Sequence, residues 1–96
     1  MPAYVIAYAG DVRDDAALQE YRRRNTDAVA NHGGRFIARG SAVDVLEGPW
    51  PWERVAMMEF PDADAARAWY GSEEYTPLKA MRQAVSTSQL ILVEGT

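Results

Sequence analysis

His32-Gly33-Gly34-Arg35-Phe36-Ile37-Ala38-Arg39-Gly40 is where the chain changes its period. Before this run apolar residues recur at helical steps, and within it they alternate as in a strand. Gly33 or Gly34 is the natural residue to close the helix, because glycine enters the left-handed conformation that ends one without a Cβ penalty. Arg35 to Arg39 then reads as a strand with Phe36 and Ala38 on one side and Arg35, Ile37 and Arg39 on the other. The helix-to-strand corner carries an imidazole and two guanidiniums, so a pocket is expected there.

Working back from this corner, the helix has an inward stripe of Leu18, Tyr21, Asn25, Ala28 or Val29, and His32. These lie at steps of three and four residues, which puts Asn25 and His32 on the apolar face. Asp14 or Asp15 is placed to accept from the free N–H groups that open the helix. Ala3 to Tyr8 reads as a strand, with Tyr4, Ile6 and Tyr8 on one face and Ala3, Val5 and Ala7 on the other. Both faces are apolar.

Working forward, Gly40 and Ser41 interrupt the strand with a bulge or bend before it resumes at Val43 to Leu46. Gly48-Pro49-Trp50-Pro51-Trp52 is a loop whose indoles need apolar cover, as a lid or, by preference, as a dimer contact. Arg54 to Phe60 is a strand with Val55, Met57 and Glu59 on one face and Arg54, Ala56, Met58 and Phe60 on the other. A helix from Asp62 or Asp64 to Tyr70 stops at Gly71 and Ser72, and Thr76 as N-cap with Pro77 at the first position opens another. The stripe of that helix is Leu78, Met81, Arg82 and Val85. Gln89 to Val93 is a last strand, apolar on both sides.

The order strand, helix, strand, strand, helix, strand, with the second helix broken in two, defines an α+β fold. It is the ferredoxin-like βαββαβ arrangement, one domain over residues 1–96 with a four-stranded antiparallel sheet. Both helices lie on one face of that sheet. The other face is left bare and apolar, which predicts a homodimer packed sheet against sheet.

A chain of 96 residues has room for one core. The net charge of −4 argues against nucleic acid as a partner, since such binding draws on Lys and Arg. The one arginine run, Arg22 to Arg24, has Glu20 and Asp27 at pairing distance and reads as a solvated helix face. Without cysteine there is no disulfide framework or thiolate metal site, which suits the cytoplasm. The apolar stretch Ala3 to Ala9 is too short for a signal peptide or membrane span, so no membrane partner is expected.

Taken together, Tyr4, His32-Gly33-Gly34 with Phe36, Arg39 and Gly40, Glu47-Gly48, Arg54, Glu59-Phe60-Pro61, Trp69-Tyr70, Ser72 with Tyr75, and Leu92-Val93-Glu94-Gly95 form a pattern spread over nearly the whole chain. It resembles the small bacterial family catalogued as domain of unknown function 1330. The resemblance implies a dimeric α+β barrel, in a superfamily that also holds cofactor-free monooxygenases, lactone isomerases, polyketide cyclases, haem-dependent enzymes and ligand-sensing domains. It implies no particular reaction. Ser41 stands where a second glycine is expected, which implies a less sharp bend than in relatives.

His32, the only histidine, is the candidate general base, because imidazole is the side-chain type whose ordinary pKa lies near neutrality. The plainer reading is a helix C-terminal residue bonding free carbonyls. Arg39 is the candidate binder of a carboxylate or enolate oxygen; alternatively it pairs with Glu59, which also has Arg54 in reach. Ser72, Tyr75 and Arg82 flank the break in the second helix, Ser72 more as a cap than a ligand. Tyr21, Asn25 and Trp69 would line a cavity between helices and sheet. No cofactor is expected, a haem on His32 being the remote exception. Three readings follow: a small-molecule-binding homodimer using His32 for monooxygenase-, isomerase- or cyclase-like proton transfer, a non-catalytic ligand-binding or sensing module, and a structural interaction domain.

Overall fold

A computed structural model describes residues 1–40 and 42–96. The element order is β1 (Ala3–Gly10), α1 (Asp15–Asn31), β2 (Arg35–Gly40), β3 (Arg54–Phe60), α2 (Ala63–Tyr70), α3 (Tyr75–Val85) and β4 (Thr87–Glu94). The sheet runs β2-β3-β1-β4 with every neighbouring pair antiparallel, the ferredoxin-like order expected from the sequence. The molecule measures 31 × 31 × 16 Å, the shape of one helical layer on one sheet.

Local chemistry sets the boundaries of the helices. Asp14 caps α1, its carboxylate accepting from Ala17 N–H at 3.0 Å, and Asp62 caps α2 through Ala65 N–H at 2.8 Å. At the far end of α1, Gly33 takes φ +79°, Gly34 N–H reaches the Val29 carbonyl and Gly33 N–H the Ala30 carbonyl, so two of the helix's last carbonyls are satisfied. Gly34 serves a different purpose: a Cβ there would lie 2.6 Å from the Phe60 ring and 2.9 Å from Val29. One glycine supplies a backbone angle and the next supplies room.

Val43 to Leu46 forms no strand; these residues are exposed coil, Leu46 being 92% accessible. The β2–β3 pairing ends at Gly40 opposite Val55, and a continuation would run beside Pro49 to Trp52, where two prolines lack the N–H groups a ladder needs. The bend expected at Gly40 and Ser41 falls at Ser41 on a position outside the described residues. A bulge does occur, earlier: the pairing of β2 with β3 shifts between Phe36 and Ala38, leaving Ile37 as the extra residue. That breaks the expected alternation of Arg35 to Arg39. Thr76 is not the cap of α3; Ser72 Oγ accepts from Tyr75 N–H at 3.1 Å, while Thr76 Oγ1 donates back to the Ser72 carbonyl.

The core lies between sheet and helices, with Phe60, Trp69 and Tyr75 fully enclosed beside Met58 and Val29. The opposite sheet face carries Tyr4, Ile6, Met57, Ile91 and Val93, the last two 45% and 42% exposed. Trp50 and Trp52 shield one corner of it, packing against the Tyr8 ring at 5.3 and 6.1 Å.

Candidate functional site

The space between α1 and the sheet is created by a gradient of side-chain size. Across β3, β1 and β4, the helix-facing rows read Met58, Val5, Leu92, then Ala56, Ala7, Leu90, then Arg54, Ala9, Ser88. Two alanines face each other at the sheet centre, and the next row holds no bulky apolar group. α1 places Leu18, Tyr21 and Asn25 above these rows. The gap left is a cavity of about 70 Å³, walled mostly by carbon and reached by Tyr21, Arg22, Asn25, Arg39, Arg54 and Arg82.

Arg39 reaches this cavity because of the bulge. With Ile37 as the extra residue, Phe36 pairs with Met58 and Arg39 with Ala56, so both share the helix-facing side. The guanidinium stacks 4.0 Å over the Phe36 ring and donates to Thr26 Oγ1 at 2.7 Å. Arg54 bonds Asp15 through Nη2 at 2.7 Å, and its buried Nη1 has no partner. Arg22 is held below the usual guanidinium range by burial and by the positive charges of Arg39 and Arg54. The cavity is thus electropositive within a chain whose net charge is −4.

Arg82, from α3, is only 5% exposed. Its Nη1 donates to Ser88 Oγ, and its buried Nε has no partner. Burial works against its charge, while the oxygens of Tyr75 and Tyr21 favour it strongly enough to raise its pKa overall. Those two hydroxyls hydrogen-bond each other at 2.8 Å. Burial, then the neighbouring Tyr75, pushes Tyr21 well above the usual phenol range, so it is a neutral phenol at physiological pH. Beyond Arg82 lies a second space, an open cleft of about 480 Å³ between α2, α3 and β4, lined by Val5, Trp69, Tyr70 and Leu92 among others. Arg82, Ser88 and Leu90 border both spaces.

The residues singled out from sequence distribute unevenly. Tyr21, Asn25, Arg39 and Arg82 converge on the cavity, and Trp69 joins Arg82 on the cleft. Asn25 Oδ1 accepts from Trp69 Nε1 at 3.0 Å, linking α1 to α2. Tyr75 is sealed in the core with its ring 4.3 Å from Trp69, and Ser72 Oγ accepts from Tyr75 N–H at the start of α3; among the described residues neither lines these two spaces. His32 lines neither as well: its Nδ1 donates to the Ala28 carbonyl at 2.8 Å, in the last turn of α1. Glu59 lies on the bare face and pairs with Arg35 at 2.9 Å, not with Arg54 or Arg39 as expected. The bulge had carried Arg39 to the opposite face.

Two cavity arginines were missed. Arg22 is not part of a solvated face; it sits four residues after Leu18 and three before Asn25, so it borders the apolar stripe, and only Arg23 pairs with Glu20. Arg54 shares the parity of Ala56, Met58 and Phe60, which places it facing the helices. Both signals are in the sequence, in stripe edge and strand parity. No group of three or more His, Asp or Glu suited to a metal ion occurs among the described residues. No helix among them is long and apolar enough to cross a membrane.

The family description "Domain of unknown function (DUF1330)" matches residues 2–96. No curated protein matches the chain in sequence. Among solved structures, a protein of unknown function from Rhodopseudomonas palustris is 20% identical, with a TM-score of 0.80 over 99% of this chain and 82% of its own. A dimeric ferredoxin-like protein of unknown function from Jannaschia sp. CCS1 is 13% identical, with a TM-score of 0.80 over 99% of this chain and 100% of its own. A mutant of a cofactor-independent oxygenase from Streptomyces nogalater is 19% identical, with a TM-score of 0.72 over 98% of this chain and 92% of its own. At such identities the likeness establishes the fold.

Proposed function

We propose, from the premise that the chain belongs to the DUF1330 family, that it is a homodimer binding one small molecule per protomer between helices and sheet, and that the ligand is held rather than transformed. The observation that carries this reading is the convergence of Tyr21, Asn25, Arg39 and Arg82 on a carbon-walled cavity that His32 does not line. A few fixed polar groups on an apolar wall orient a ligand. Proton transfer, in contrast, needs a base within hydrogen-bonding reach of the ligand, and His32 uses Nδ1 to close its own helix. The non-catalytic binding or sensing module is therefore favoured over a cofactor-free enzyme of the kind named for the Streptomyces relative.

The dimer belongs to the same proposal. Tyr4, Ile6, Met57, Ile91 and Val93 form an apolar face that a second copy would cover. The dimeric state named for the Jannaschia relative supports it. The cytoplasmic home read from the cysteine-free sequence is part of this reading too.

A thermal-shift screen of small aromatic and carboxylic compounds tests the binding function. Ligands that raise the melting midpoint of the wild type by mass action are expected to keep doing so with His32→Ala and to lose their effect with Ala56→Leu, which fills the cavity. Loss of the shift with His32→Ala instead would restore the proton-transfer reading. Sedimentation should give a dimer at micromolar concentration and a monomer for Ile91→Glu; a wild-type monomer removes the sheet-face dimer.

A further inference from the structure

We infer that the cavity beneath α1 and the cleft beneath α2 and α3 are two chambers of one site for an apolar carboxylic acid, whose carboxylate pairs with Arg82 at the partition between them. This rests on the reading of the cavity as a binding site. It adds the chemical class of the ligand and the residue that selects it.

The starting point is an unpaired buried cation. Arg82 is 5% exposed, yet among the described residues no carboxylate lies within ion-pair distance of it. Its protein partner is the neutral hydroxyl of Ser88, and its Nε proton is unsatisfied. The phenol oxygens of Tyr21 and Tyr75 favour its charge, but they bond each other and offer it no carboxylate. A buried charge is costly unless it is both paired and hydrogen-bonded. The geometry thus leaves a place for an anion, and a carboxylate matches the planar fork of a guanidinium.

The surroundings strengthen the case. Arg22, Arg39 and Arg54 add three more guanidiniums to the α1 cavity, and within salt-bridge distance of them stands one carboxylate, Asp15 on Arg54. The buried Nη1 of Arg54, like Nε of Arg82, has no hydrogen-bond partner. The remaining walls are carbon, which suits an acid with an apolar body and not a hydrophilic anion such as phosphate.

Size decides how such an acid divides itself. The α1 cavity, at about 70 Å³, is roughly half of the ~150 Å³ that encloses a benzene ring, so it takes a headgroup and little more. The cleft, at about 480 Å³, lies within the range of about 300–1,000 Å³ usual for small-molecule sites, and Val5, Trp69 and Leu92 give it apolar walls. Arg82 touches both, so a head at the partition leaves the body in the cleft.

Calorimetric titration of the full chain with matched acid and amide pairs, hexanoate against hexanamide and benzoate against benzamide, tests this. The wild type is expected to bind each acid about tenfold more tightly than its amide, the value of one charge-assisted hydrogen bond. Arg82→Met should erase that preference, and Arg82→Lys should keep part of it. Ligand-free Arg82→Met should melt at or above the wild-type temperature, because an apolar side chain of similar size replaces a buried cation that no carboxylate pairs. Equal affinity for acids and amides, a preference that survives Arg82→Met, or a marked fall in the melting temperature of ligand-free Arg82→Met would overturn the assignment while leaving a binding site in place. If neither acids nor amides bind, the cavity is no ligand site and the inference falls with that reading.

Discussion

The two ends of the space between helices and sheet share the strands β3, β1 and β4 and differ in what those strands offer. At one end the helix-facing residues are Phe60, Met58, Val5 and Leu92, and Trp69 and Tyr75 complete a solid aromatic core. At the other they are Ala7, Ala9, Ala56 and Ser88, with arginines where bulk would be. One end encloses its aromatic rings and borders the open cleft, and the other is left hollow and charged beneath α1. The architecture is continuous, so only side-chain volume along the strands separates a core from a candidate site.

Removing bulk from the packed end should have the largest effect. Trp69→Ala is expected to lower the unfolding free energy by about 3–5 kcal/mol in denaturant titration, the usual cost of emptying an aromatic core position. A loss below about 1 kcal/mol would mean the two ends are not so different.

Tyr21 joins the ends, facing the cavity while bonded to Tyr75. Tyr21→Phe leaves the Tyr75 hydroxyl without its partner and should cost about 1–3 kcal/mol. Because folding raises the pKa of Tyr21, the folded state keeps this proton after the unfolded chain has lost it. Stability is then intact below the ordinary phenol pKa of about 10 and falls as pH rises through and beyond it. Alkaline unfolding curves should show that fall flattened in Tyr21→Phe; an unchanged slope would place Tyr21 in water.

The smallest expected change is a gain. Ala56→Leu fills the hollow end, and at about 24 cal/mol per Å³ a 70 Å³ void sets a ceiling of ~1.7 kcal/mol on the stabilisation. About 1 kcal/mol is expected in the same titration. A comparable loss would show that the hollow end has no room.

The element order and the stripe Leu18, Tyr21 and Asn25 could be read from the sequence, and the caps and the helix-ending glycine to within two candidates each, of which the structure uses Asp14, Asp62 and Gly33. Each depends on neighbours a few residues away. What escaped depends on partners distant in the chain. Val43 to Leu46 has the composition of a strand, and only the β2–β3 register reveals that a continuation would meet the proline loop before β3. Arg22 looked solvated because its charged neighbours suggested a surface, whereas the alanines beneath it on β1 and β3 make room for its side chain. Glu59 found Arg35 across the bare face because the β2 register, hidden in the sequence, sets them opposite each other. The site residues picked by chemistry alone, His32 above all, came without any indication of which way they would point.

The extra residue at Ile37 has a consequence for descent as well as for shape. Deleting it would restore simple alternation in β2 and leave Arg39 opposite Ala56 on the Phe36 side, whereas absorbing Ile37 into regular pairing would send the Arg39 side chain out through the other surface, away from Phe36 and Thr26. Relatives of equal length that pair this edge without the bulge would then carry the same arginine in an alignment and offer it to different neighbours, a ligand in one and a second subunit in the other.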